Sequence, residues 1–400
     1  MKSMKIFSMI LCFSFLMTSC LEEIELKNVE SKGFLVVEST LTNEYKTQTV
    51  KLSRTIQLDS IIPISEPNAI VVIKDDANNS FNFTETDNGI YLSNIKFEVE
   101  PNKDYTLEIT TNEGKIYKSK PERIIAINEI DNIEAKLDTK PNGDEGISIF
   151  VNSNTSNNDA KYYRYEYEET YKIIAPLWRN YRLEIINDVW PDFEVKKVIN
   201  NEENKICYKT LNSSTIIQTE TANLSENNVN FNVLFLEKND FKISHRYSVL
   251  VKQYVQSLAA FTYFKTLKKI SGNQGIFTQN QPGLIVGNLS SVSDNNEKVI
   301  GFFEVASVSK KRYFFNYEEY YPNNEVDFIT DCSTIAPPLF SPNPYSTSSP
   351  LIEAIRRNYM YYLDNGDPTL AFPGIYLLVP KPCGDCTVLG SNIKPTFWID

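Results

Sequence analysis

From residue 34 onward the chain is written in short runs of β-branched and aromatic residues that alternate with polar ones, separated by clusters of Asn, Asp, Gly and Pro. Successive side chains on a strand face opposite ways, so period-two alternation commits a segment to a sheet with one buried face. Phe34 to Glu38, Thr49 to Ser53, Ala69 to Ile73, Ser80 to Thr84, Gly89 to Leu92 and Tyr105 to Ile109 all have this form. Asp75-Asp76 and Asn78-Asn79 mark one tight turn, and Asn112-Glu113-Gly114-Lys115 marks another before Ile116 to Ser119. The spacing predicts an immunoglobulin-like β-sandwich over residues 33–125.

A second strand series follows at Ile130 to Leu137, Gly146 to Val151, Tyr162 to Ile174, Val195 to Ile199, Thr215 to Thr219, Asn230 to Phe235 and Arg246 to Val255. It predicts a larger β-sandwich-like domain over 126–400, so the fold class is mainly β. Within Tyr162 to Ile174, Tyr163, Tyr165, Tyr167 and Tyr171 alternate with Arg164, Glu166, Glu168 and Lys172, which gives one aromatic face and one charged, solvated face. One helix is inserted near 257–270, where Leu258, Phe261, Phe264 and Leu267 fall at helical spacing and Gly272 follows as a stop. Val299 to Val305 and Arg312 to Asn316 are two further strands. Between Cys332 and the apolar run Ile375 to Val379, Pro337, Pro338, Pro342, Pro344 and Pro350 mark a long loop, 331–367. A loop pinned by cysteines presents Phe340, Tyr345, Tyr359, Tyr361 and Tyr362 to a partner at little entropic cost, and these are the expected partner-binding residues.

The chain opens with Lys2 and Lys5, then an apolar stretch from Ile6 to Met17, then Thr18-Ser19-Cys20. That order is a secretory signal, residues 1–19, and its apolar run is too short for the roughly 20 residues of a membrane-crossing helix. Small residues before a cysteine resemble a lipobox, so Cys20 is the expected lipidation site and 20–32 an acidic tether to the membrane. Four cysteines then remain after the signal: Cys207, Cys332, Cys383 and Cys386. An even number in an exported chain predicts two disulfides, with three connectivities open. A zinc site from the same four is the weaker alternative, because only Cys383 and Cys386 have ligand-pair spacing.

His245 is the single histidine, and any serine or cysteine nucleophile would have to use it as base. No nucleophile elbow, metalloprotease pair or phosphate-cradling glycine loop is present, so neither catalysis nor a cofactor nor a metal is expected. Glu166, Glu168 and Glu169 are most simply solvated strand residues. With 51 acidic against 40 basic residues and a formal charge of −11, the chain is a poor partner for nucleic acid.

Cys20 followed by the Phe34-Leu35-Val36-Val37-Glu38 strand, the segment Arg246 to Tyr254, Gly287-Asn288-Leu289, Val299-Ile300-Gly301-Phe302-Phe303, and Cys383-Gly384-Asp385-Cys386-Thr387 with Pro395-Thr396-Phe397-Trp398 resemble, over essentially the whole mature chain, the Bacteroidota lipoprotein family filed as domain of unknown function 4249. The resemblance implies an outer-membrane lipoprotein that serves a TonB-dependent receptor as a non-enzymatic accessory or binding subunit. It carries over no active-site residue. Glu22 and Glu23 are similar to the acidic signals that send such lipoproteins to the cell surface. A stand-alone adhesin or glycan-binding lipoprotein is the competing expectation.

Overall fold

The computed structural model of the chain describes residues 33–55, 64–155, 159–224, 226–272, 285–294, 297–364 and 374–400. The expected signal, the tether and Cys20 lie outside them, as do Glu22 and Glu23. The first strands are β1 (Leu35–Thr42), β2 (Thr49–Arg54), β3 (Ile64–Ser65), β4 (Ile70–Asp75), β5 (Ser80–Asp87), β6 (Ile90–Ser93), β7 (Tyr105–Thr110) and β8 (Ile116–Ser119). Then come β9 (Asn132–Thr139), β10 (Glu145–Asn154), β11 (Tyr162–Ile174), β12 (Tyr181–Asn187), β13 (Glu194–Ile199), β14 (Ile206–Asn212), β15 (Ile217–Glu220), β16 (Asn228–Glu237) and β17 (Arg246–Val255). Helix α1 (Leu258–Gly272) precedes β18 (Leu289–Ser291) and β19 (Val299–Asn316). The chain ends through α2 (Tyr317–Tyr320), α3 (Pro350–Arg356), β20 (Tyr359–Asp364), β21 (Tyr376–Pro380) and α4 (Lys381–Gly384). The protein is mainly β, in several sheets with few helices.

In the N-terminal unit, pairing runs unbroken through β1, β2, β6, β5, β4, β7 and β8. Leu35, Val37, Leu52, Ile73, Tyr91 and Leu107 fill its interior, each 1% exposed or less. The predicted turn after β4 forms because Asn78 accepts φ +63° and the Asp75 carboxylate takes a hydrogen bond from the Asn79 amide at 2.8 Å. Residues 33–125 alone would leave β1 and β8 as open edges, and segments from beyond residue 125 cover both, which amends the predicted boundary. β18 pairs antiparallel with β8, while β19 runs parallel to β1 with Val299 opposite Leu35. β18 also returns alongside β19: the Asn288 carboxamide donates to the Phe303 carbonyl at 2.8 Å and accepts from its amide at 2.9 Å. A Cβ on Gly287 would stand 1.6 Å from the Gly301 carbonyl oxygen, and Gly301 itself sits at φ +137°, so glycine is required at both positions. The unit is one sheet curled until its ends meet.

The second unit is two-layered. β14, β11, β17 and β19 form one face, and the three-stranded sheet β16-β10-β9 packs over it. Ile147, Ile149 and Val151 of β10 meet Tyr163, Tyr165, Tyr247, Val249 and Val251 across a core in which each is 1% exposed or less. β19 is a single strand where two were expected: up to Ala306 it pairs with β1, and from Ser307 to Asn316 with β17. Its polar middle, Ser307 to Lys311, is where the strand passes from one core to the other.

Helix α1 is capped by Ser257, whose hydroxyl accepts from the Ala260 amide at 3.1 Å. It buries Ala260, Phe261 and Tyr263, with Tyr263 against Phe302 of β19. Leu258, predicted on the buried stripe, is 59% exposed, since it lies in the first turn where the helix leaves the sheet. The charged face of β11 is covered too, contrary to expectation. Arg164 is 8% exposed and donates to Glu304 at 2.9 Å and to Glu166 at 2.5 Å, with the rings of Tyr254 and Phe264 on its guanidinium. Glu304, 1% exposed, also accepts from Gln256 and Thr40.

Candidate functional site

Residues 331–367, expected as a loop, contain α3 and β20, so the loop assignment is corrected over those elements, and 365–367 lie outside the described residues. Ser349 caps α3 by accepting from the Ile352 amide at 3.3 Å, and Pro350 occupies its first turn, so one of the prolines taken for loop chemistry starts a helix. α3, the β20-β21 hairpin and the β12-β13 hairpin form a small module with its own core of Leu183, Leu351, Ala354, Tyr361 and Leu378.

Two disulfides pin this module: Cys207–Cys386 ties the segment after α4 to β14 of the large sheet, and Cys332–Cys383 joins the segment before α3 to α4. Cys383-Gly384-Asp385-Cys386 does not close on itself. Each of its sulfurs reaches a different partner, and all four are thereby consumed, which overturns the zinc alternative. The Leu177 amide donates to the Cys383 carbonyl at 2.8 Å and the Cys386 amide to the Asn204 carbonyl at 2.9 Å, so the backbone pins the same place.

The five expected aromatics do not share one surface. Tyr361 is 5% exposed in the module core and Tyr359 packs against it. Tyr362 lies under the Arg179 guanidinium at 4.3 Å, on the other side of the strand. Phe340 and Tyr345 are exposed, at 46% and 95%. Phe340 joins an aromatic cluster absent from the sequence expectation, with Phe193 at 5.7 Å and the 46%-exposed Trp190 at 6.2 Å. Val189, next to Trp190 in the β12-β13 turn, is exposed as well, as is Ile186 near the end of β12, and an Asp188–Arg356 ion pair links this turn to α3. A signal was present: Val189-Trp190 is an apolar pair inside a turn of Asn, Asp and Pro, where bulky apolar residues have no local reason to sit.

His245 lines a cleft of about 950 Å³ together with Lys172, Ser244, Arg246, Glu325 and Asp400. Burial, and then the Lys172 ammonium, hold its imidazole below the usual 6.5. The three carboxylates singled out on β11 each have a partner. Glu166 accepts from Arg164 and from Tyr254 at 3.0 Å, Glu168 from Arg312 at 2.7 Å, and Glu169 from Lys242 at 3.1 Å and from Tyr247 at 2.6 Å. Burial pushes Glu166 up, but the neighbouring Arg164 outweighs it and its pKa is lowered, so it is held ionised. Among the described residues no group of three or more His, Cys, Asp or Glu could hold a metal ion, and no helix is long and apolar enough to cross a membrane.

A family model described as domain of unknown function (DUF4249) matches residues 22–312. That span takes in the curled N-terminal sheet and most of the second unit, and it ends before the Cys383 to Trp398 motifs. No curated protein matches the chain.

Proposed function

The chain belongs to the DUF4249 family, and from that premise we propose that it is a Bacteroidota outer-membrane lipoprotein, anchored through Cys20 and displayed at the cell surface, that serves a TonB-dependent receptor as a non-enzymatic accessory or binding subunit. The observation that carries the partner role is the Trp190–Phe193–Phe340 cluster, with exposed Val189 next to Trp190 in the chain, on a module pinned by disulfides. Rigid aromatics displayed on a crosslinked scaffold are good interface anchors, because little side-chain entropy remains to be lost on binding. The leader and the tether place the same chain at a membrane, where a barrel receptor is within reach.

The test is capture. Tagged protein, pulled from detergent-solubilised outer membranes, should bring a receptor-sized barrel with it. The combined variant Trp190→Ser, Phe340→Ser, Tyr345→Ser should melt within a few degrees of the parent and recover much less receptor. Equal recovery by parent and variant would remove this surface from the interface, and no captured barrel from the parent would remove the accessory role.

A further inference from the structure

We propose that the groove between helix α1 and residues 285–288 binds a small organic amine, its ammonium ion on the Glu122 carboxylate and its apolar body between Leu258 and Val286. This goes beyond the receptor role and does not depend on it. The groove has a volume of about 820 Å³, within the range of small-ligand sites.

Each wall has a local cause. Leu258, Thr262, Thr266 and Ile270 recur at every fourth residue, so they form one stripe of α1, and that stripe lines the groove. The other wall, residues 285–288, is held against β19 by the close approach of Gly287 to Gly301 and by the Asn288 carboxamide on the Phe303 backbone. Tyr263 and Phe302 are nearly buried and pack together at 5.5 Å, whereas Leu258 and Val286 are 59% and 81% exposed. Apolar surface is therefore free on both walls.

Glu122 is fixed in place by its backbone, which exchanges hydrogen bonds with Tyr105 at 2.8 and 2.9 Å. Its half-buried carboxylate accepts long bonds from Asn288 Nδ2 at 3.2 Å and the Ser257 hydroxyl at 3.4 Å. Burial raises its carboxyl above the ordinary 4.5, the two hydrogen bonds oppose this, and the nearby Glu304 and Asp104 raise it again. Those two carboxylates have arginines of their own, Arg164 at 2.9 Å and Arg123 at 2.6 Å. Glu122 has no ion pair among the described residues, and residues 273–284, which link α1 to Ile285, contain no lysine, arginine or histidine to supply one. A carboxylate partly withdrawn from water without a cation is costly, and a bound ammonium ion relieves that cost.

The hydrogen-bond inventory narrows the ligand to a donor. The Thr262 and Thr266 hydroxyls spend their hydrogens on the Leu258 and Thr262 carbonyls, both at 2.8 Å, so each oxygen is left as an acceptor. Both amide hydrogens of Asn288 are used, on Glu122 and on the Phe303 carbonyl, and Ser257 gives its hydrogen to Glu122. Exposed Lys120 is the one cation lining the groove, so a carboxylate or phosphate ligand would face Glu122 with a single solvated ammonium to hold it. A metal ion lacks further ligands, since no group of three His, Cys, Asp or Glu forms among the described residues.

The experiment titrates the full chain at neutral pH with hexylamine and phenethylamine, read by calorimetry, beside hexanol and hexanoate as neutral and anionic counterparts. At least one amine should bind saturably, roughly tenfold or more tighter than hexanol and hexanoate. Glu122→Gln keeps an oxygen for Asn288 and Ser257 but removes the charge. It should weaken amine binding roughly tenfold or more without lowering the melting temperature. The double variant Leu258→Ser, Val286→Ser alters exposed side chains and should also weaken binding, while Lys120→Ala should bind the amine at least as tightly as the parent. Receptor capture should be unchanged in all of them. No saturable binding of either amine at millimolar concentration, equal binding of hexanol, weaker binding by Lys120→Ala, or amine binding that Glu122→Gln leaves intact overturns the proposal.

Discussion

Arg164 and Glu304 show how much one buried pair can decide. They sit where β11, β17, β19 and α1 converge, and each is accessible to solvent by less than a tenth. Removing one partner strands the other charge in a dry environment, so Glu304→Ala should cost about 3–5 kcal/mol in denaturant unfolding, while Arg164→Met with Glu304→Leu should recover much of that loss. A single variant as stable as the parent would show that the pair is solvated. The lone histidine gives a cleaner readout. Because burial and Lys172 lower its pKa, the unfolded chain takes up a proton near pH 6.5 that the folded chain still refuses. Its contribution to stability is therefore complete above pH 6.5 and is lost as pH falls through the lower folded value. The single imidazole resonance should titrate with a midpoint below 6.5, and His245→Gln should flatten the stability curve in that window. A midpoint at or above 6.5 would contradict the buried placement.

Among elements, the turns were legible and the long strand was not. Asp75 to Asn79 announces its turn because the chemistry that makes it, a carboxylate on a nearby amide and an Asn at positive φ, is local. β19 hides its continuity, since Ser307 to Lys311 has the composition of a break and is paired only because β17 lies beside it. The disulfides belong to the same scale. They close loops of 179 and 51 residues, worth roughly 4–5 kcal/mol each in the chain-entropy estimate. Alkylation of the denatured, unreduced protein should label none of Cys207, Cys332, Cys383 and Cys386. Cys332→Ser with Cys383→Ser should speed trypsin cutting at the exposed Arg356 and Arg357 while the large sheet stays protected. Equal cutting rates in parent and variant would mean that the Cys207–Cys386 bridge and the backbone hydrogen bonds hold the module without the second disulfide.

For the whole molecule, membrane attachment is the proposal that rests most directly on the sequence. Cys20→Ala should abolish labelling by a fatty-acid probe and release the chain from the membrane, and labelling equal to the parent would remove the anchor. Alternation by itself determined a mainly β chain and the positions of most strands, because the pattern follows from local geometry, and an even cysteine count after the expected export signal pointed to the two disulfides that form. Which cysteines pair, which strands from beyond residue 125 close the first sheet, why Arg164 is buried and how Trp190 comes to lie beside Phe340 were decided by the tertiary structure alone. Each depends on segments at least 51 residues apart, and mostly far more, meeting in space, and no local pattern encodes the partner that covers a face.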